Sequence, residues 1–276
     1  MIVRADRVLC VSAALFSAFV CSAAQTEHVG LDGVADARVE TGYIGPSGVL
    51  VDTRPVAEQQ LDLTLRLAQY GRLTACGWLI SELHGGRDSI NRRAFFLFEG
   101  TVGYGYDFTL SDSLDFVNET GIVWDSPWGY KDFSKESVGW WLRNSIENPI
   151  VVPYAETIGL FEPDRWLVVT VGLRRAFSIW ESLVLTPFVT VGWDDADLYY
   201  VSVGRTPSSR FLGGSFATMM PGVKVAWRLA SSWVTWFRFK EYVVLDPLVR
   251  KLNDESTEYF VQNEASVFSI GISYEF

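Results

Sequence analysis

The sequence predicts an all-β chain that closes into an antiparallel up-and-down barrel of about twelve strands and crosses an outer membrane, on three observations. Hydrophobic residues make up 49% of the 276, yet beyond residue 24 no run approaches the roughly 18 apolar residues that a membrane helix needs. They are dispersed by alternation, and a period of two marks strands with one apolar face. Aromatic residues, 11 Trp, 11 Tyr and 18 Phe beside 23 Gly, collect near the ends of the alternating runs, where strands that cross a bilayer meet its two interfaces.

The N-terminal segment stands apart. Arg4 and Arg7 precede the apolar run Val8 to Val20, and small residues follow at Ser22, Ala23 and Ala24, which are the n-, h- and c-regions of a signal peptide over residues 1–24. Cys21 raises the alternative of a lipoprotein, but Val20 stands where acylation wants a small residue. Residues 25–35 are expected to form a flexible lead and residues 36–276 a single barrel domain. Removing the first 24 residues takes away two arginines and one aspartate, so the formal charge moves from -10 to -11. That acidity argues against nucleic acid as a partner. Cys76 is then the one remaining cysteine, so no intramolecular disulfide braces the chain in an oxidising compartment.

The alternation is clearest in Leu61-Asp62-Leu63-Thr64-Leu65-Arg66-Leu67, and it returns from Phe96 to Phe108, from Leu167 to Leu173 and from Phe268 to Phe276. Gly, Thr and Ser fill the opposite face, as a watery lumen tolerates. The strands are expected at 36–44, 60–69, 73–83, 95–109, 114–124, 137–147, 150–160, 165–178, 183–193, 216–229, 232–243 and 264–276. Ten or fourteen strands also fit, because Gly42 and Gly45 weaken the first run and Asn148-Pro149 interrupts the sixth and seventh.

Three tight turns resemble one another: Phe108 to Leu114, Phe177 to Leu183 and Trp227 to Trp233. Between them lie longer stretches of loop composition, 125–136, 194–215 and 244–263. Short turns on one side and long loops on the other are the asymmetry of outer-membrane barrels, with the short turns periplasmic. A soluble β-sandwich also alternates, but it buries its apolar face. Two aromatic belts favour the membrane: Trp124, Trp140, Trp166 and Trp193 near the long loops, and Phe108, Phe177, Trp227, Trp233 and Phe276 near the short turns.

The last strand, ending in Tyr274-Glu275-Phe276, resembles the C-terminal signal of outer-membrane proteins. That resemblance implies that Tyr274 and Phe276 are read by the barrel assembly machinery. Gly42-Tyr43 through Gly48-Val49-Leu50, Arg54-Pro55-Val56 running into the Leu61 strand, and Asn148-Pro149 through Pro153-Tyr154 into Val171-Gly172-Leu173 resemble a family of uncharacterised bacterial outer-membrane β-barrel proteins. The likeness implies a fold, a place in the outer membrane of a Gram-negative-type bacterium and lipid as a partner. It carries no catalytic residues and no cofactor, and it departs at 194–215.

If the apolar face meets lipid, the other face lines a lumen, and that face carries charge. Glu99 and Asp107 come from the fourth expected strand, Asp115 and Glu119 from the fifth, Lys224 and Arg228 from the tenth, and Arg238 and Lys240 from the eleventh. In a ring of twelve, the fourth strand faces the tenth and the fifth faces the eleventh. An acidic wall opposite a basic wall sets up a transverse field that orients small solutes in a narrow channel. The alternative is a closed barrel whose long charged side chains pair and fill the interior, serving a structural or surface-recognition role.

Other chemistries are weakly supported. Only two histidines exist, His28 and His84. His84 with Ser81, Glu82 or Asp88 is the one grouping for a barrel-embedded hydrolase, and nearness in sequence is not catalytic geometry; no enzyme is expected. Asp194-Asp195-Ala196-Asp197 lacks the spacing of an EF-hand, and Gly103 and Gly105 sit inside a strand rather than before a helix, so neither metal nor phosphate binding is expected. Trp128, Tyr130, Phe133, Tyr199 and Tyr200 place aromatics in loops, where they either anchor a partner or pack on the rim. The first expected strand follows the cleavage site by about a dozen residues, leaving no room for an autotransporter passenger.

Overall fold

The computed structural model describes residues 30–44, 50–52, 55–83, 96–111, 113–128, 137–161, 166–194, 215–254 and 262–276. The expected signal peptide, both histidines, Asp88, Asp195, Asp197 and the loop aromatics Tyr130, Phe133, Tyr199 and Tyr200 lie outside them. Twelve strands build one barrel: β1 Gly30–Glu40, β2 Val56–Arg66, β3 Arg72–Glu82, β4 Phe96–Ser111, β5 Leu114–Trp128 and β6 Ser137–Glu147. They continue with β7 Val152–Leu160, β8 Trp166–Arg174 resumed at Phe177–Trp180, β9 Leu183–Asp194, β10 Ser215–Arg228, β11 Trp233–Val244 and β12 Glu264–Glu275. Each pairs antiparallel with its sequence neighbours, and β12 pairs back onto β1, so the sheet closes without an edge. Closure is what allows a sheet to sit in lipid, since every backbone donor and acceptor must find a partner within the protein.

The asymmetry of the connections follows the sequence. At one end β4–β5, β8–β9 and β10–β11 join by tight turns at the three predicted places. Asn148 supplies the β6–β7 turn: its Oδ1 accepts the backbone N–H groups of Ile150 and Val151 at 2.9 and 3.0 Å. The β2–β3 turn holds a 3-10 turn at Ala68–Tyr70 and then Gly71 at φ 88°, a left-handed conformation that glycine adopts without strain. At the other end every connection except β7–β8 is long. One carries a short ribbon, Tyr43–Ile44 against Leu50–Asp52, and another the helix α1, Pro247–Asp254, within the stretch expected to be a loop.

Outward positions are apolar and open: Val102, Ile122 and Ile270 are 62–65% exposed, the pattern of side chains that meet lipid tails. Phe108, Phe177, Trp227 and Trp233 are exposed near the short turns, and Trp124 and Trp140 near the long loops, forming two interfacial girdles.

Two expectations are corrected. The first strand begins at Gly30, inside the stretch expected to be a flexible lead, and ends at Glu40 rather than 44. Its outward residues Gly33, Ala35 and Ala37 are too small to read as an apolar face. The β4–β5 hairpin runs on to a Phe96–Trp128 pair, so the loop expected from 125 starts later and Trp128 is a strand residue.

The small residues of β1 have a use at the closing seam. Gly33 and Phe276 exchange backbone hydrogen bonds of 2.9 and 3.0 Å, and the Phe276 ring lies over Gly33, where any Cβ would collide with it. The same ring stacks on Tyr274 at 6.0 Å. Gly33→Leu is therefore expected to displace the ring and destabilise closure by about 1–3 kcal/mol, as overpacking does. A lower temperature for loss of the fast-migrating form in unboiled detergent gels is the readout; an unchanged temperature counts against this role.

Candidate functional site

The even-numbered positions of β1, β2, β11 and the remaining parity-matched positions around the ring point inward, and they sort into layers along the axis. Near the long-loop end the inward face is apolar: Val56, Ile80, Tyr242, Val244 and Val267 are at most 1% exposed. Gly, Thr and Ser together with charged residues were expected on this face. At this level the described inward side chains are apolar and buried.

Below that layer, Glu40 is the hub of an ion cluster across the closing seam. It is 1% exposed. It accepts Lys240 Nζ at 3.3 Å and the Ser269 hydroxyl at 2.9 Å, pairs with Arg238, and lies 3.5 Å from Arg38 Nε. Arg38 reaches on to Glu58, itself 2% exposed, which also accepts the Trp78 indole N–H at 3.0 Å. The register makes this possible, since Glu40 stands opposite Ser269 on β12, and Ser269 opposite Arg238 on β11.

A second seam rung lies nearer the periplasm. Trp236 of β11 donates its indole N–H to Asp36 of β1 at 2.9 Å and to Ser273 of β12 at 3.1 Å. To do so it crosses Gly271, where a Cβ would stand 2.5 Å from the ring. Lys224 sits over that ring at 4.7 Å.

The opposite wall uses the same device. Arg72 of β3 crosses Gly105 of β4 and donates to Glu119 of β5 at 2.9 Å, and it also binds Asp107 at 2.6 Å. Glu119 lies 3.6 Å from Arg143 of β6, which binds Glu156 of β7 at 2.9 Å. Trp141 lies across Gly103 and Gly121, 5% exposed, in a cluster with Val123, Ile158 and Leu160. The Arg72 and Trp141 side chains reach over neighbours that have no side chain to block them.

Between the two walls lies a cavity of about 530 Å³. Four of the eight predicted lumen charges line it: Glu99 and Glu119 on one side, Arg238 and Lys240 on the other. Asp107, Asp115, Lys224 and Arg228 do not; Arg228 pairs with Glu275 at 2.8 Å nearer the short turns. Reasoning from sequence passed over Arg38, Glu40, Glu58, Asp62, Arg72 and Arg143, which supply counter-charge on both walls. The signal was present as inward parity: Arg38 and Glu40 alternate on β1, and Glu58 and Asp62 on β2 once that strand is begun at Val56. Among the described residues no group of histidine, cysteine and carboxylate side chains is arranged to hold a metal. Ser81 and Glu82 lie at the outer end of β3.

No family model and no curated protein matches the chain. Solved structures do. An outer-membrane channel of Pseudomonas putida F1 is similar at a TM-score of 0.54 and 10% identity, over 92% of this chain and 97% of that one. The NanC porin gives 0.48 at 10% identity over 89% and 99%, and the KdgM porin 0.47 at 12% identity over 88% and 99%. Closed sheet, apolar outer face, twin aromatic girdles and the fold shared with the Pseudomonas putida F1 channel converge: the chain is a twelve-stranded β-barrel of the outer-membrane type.

Proposed function

We propose that the barrel is a narrow channel for small solutes, in which the mid-barrel cavity is the constriction. The observation that carries this reading is the cavity itself, bounded by Arg238 and Lys240 on the β11 side and by Glu99 and Glu119 on the β4–β5 side. Opposite charges across a short gap orient a dipolar solute, and weak dielectric screening strengthens the effect. Local pairing with Glu40 and Arg72 moderates the field.

A second reading is favoured by the burial of Glu40 and Glu58: a closed barrel held by a salt-bridged core, with any recognition role in its loops. Single-channel recording of the purified protein in planar bilayers separates the two. Discrete conductance, increased by Arg238→Ala, supports the channel. Silence from both the natural protein and Arg238→Ala leaves the closed core.

A further inference from the structure

We infer that the cavity passes small cations in preference to anions and that Asp62 is the residue setting this preference; the inference rests on the channel reading above. Charge at the cavity wall is unequal. Four cations line it, Arg38, Arg143, Arg238 and Lys240, against six carboxylates. Each of the cations is spoken for: Arg38 by Glu58 and Glu40, Arg143 by Glu156 and Glu119, and both Arg238 and Lys240 by Glu40. Compensating those cations occupies four of the carboxylates.

Asp62 stands differently. It projects from the middle of β2 between Gln60 and Thr64: the Gln60 amide donates to it at 2.8 Å, Cys76 stands opposite it on β3, and Arg143, the cation that feels its charge, is already bound to Glu156 and Glu119. Hydrogen bonds of this kind hold a carboxylate in place without cancelling its charge. A passing cation thus meets a fixed, oriented negative group, while among the described residues a passing anion meets no lining cation that is not already paired. Low local dielectric carries the difference across a gap of a few ångströms.

The test is the reversal potential of the full-length purified protein in a planar bilayer under a potassium chloride gradient. A potential displaced toward the potassium equilibrium value is expected, with the cation-to-anion permeability ratio falling about threefold in Asp62→Asn and held in Asp62→Glu. Heat-modifiable migration shows that each variant is folded, and its unitary conductance shows that the pore persists. A potential displaced toward the chloride value, or a ratio indifferent to Asp62→Asn in a folded, conducting variant, overturns the inference and leaves the channel standing. Absence of conductance in the natural protein overturns the channel reading and the inference with it.

Discussion

Glu40→Ala is expected to destabilise the barrel by about 3–5 kcal/mol, the cost of removing one partner from a buried ion cluster. Three cations converge on this carboxylate, and Ser269 donates to it from the strand across the seam. Its removal leaves Arg238 and Lys240 beside each other without the carboxylate they share. The denaturant midpoint of refolded protein in detergent, followed by tryptophan fluorescence, should fall with little change in slope. A triple variant, Glu40→Leu with Arg238→Met and Lys240→Met, is expected to recover much of the loss, because a whole buried pair can be exchanged for apolar side chains at little net cost. A wild-type midpoint for Glu40→Ala would show that the cluster adds nothing.

Trp141→Ala comes next in size. The side chain is 5% exposed, packs with Val123, Ile158 and Leu160, and lies over two glycines whose missing side chains make its seat. Truncation removes that packing and leaves a void, for an expected loss of about 3–5 kcal/mol. It also widens the cavity that Trp141 lines, so unitary conductance should rise. Trp141→Phe separates volume from polarity. The indole nitrogen has no hydrogen-bond partner among the described residues, so phenylalanine keeps most of the filling and removes a buried, unpaired N–H. It is expected to be tolerated and to leave conductance near the natural value. Equal conductance in all three proteins would mean that the permeation path lies elsewhere.

Much of the fold was legible because alternation in a strand is a local property. Phe96 to Phe108 shows which residues face out without knowledge of any partner, and the matching turns after Phe108, Phe177 and Trp227 place the strand ends. The first strand was expected at 36–44 rather than Gly30–Glu40 because its outward face is built of Gly33, Ala35 and Ala37, which carry little hydrophobic signal. The site was legible in its charges and not in their pairing. Parity gives the face of a residue but not its height, which depends on register between strands. Counting strands around a ring suggested that β4 and β5 answer β10 and β11. The nearest counter-charges of Asp107 and Glu119 come instead from Arg72, one and two strands away, because neighbouring strands lie about 4.8 Å apart and the far wall is several times more distant. Gly105 was visible in the sequence, but its service as the gap through which Arg72 reaches Glu119 appears only when three strands are aligned.

The seam between β1 and β12 also sets a timetable. Asp36 binds Ser273 across 237 residues of sequence and Glu40 binds Ser269 across 229, so the first strand cannot find its second neighbour until nearly all of the chain has been made. Until then β1 has one free edge, and Glu40 and Arg38 have no enclosed place to sit. Contacts this distant in sequence slow a search that relies on chance encounters, and an exposed edge invites pairing with the wrong chain. A seam of this kind makes the barrel dependent on a period of protected waiting, and the hydrogen bonds between Gly33 and Phe276 mark the moment at which that waiting ends.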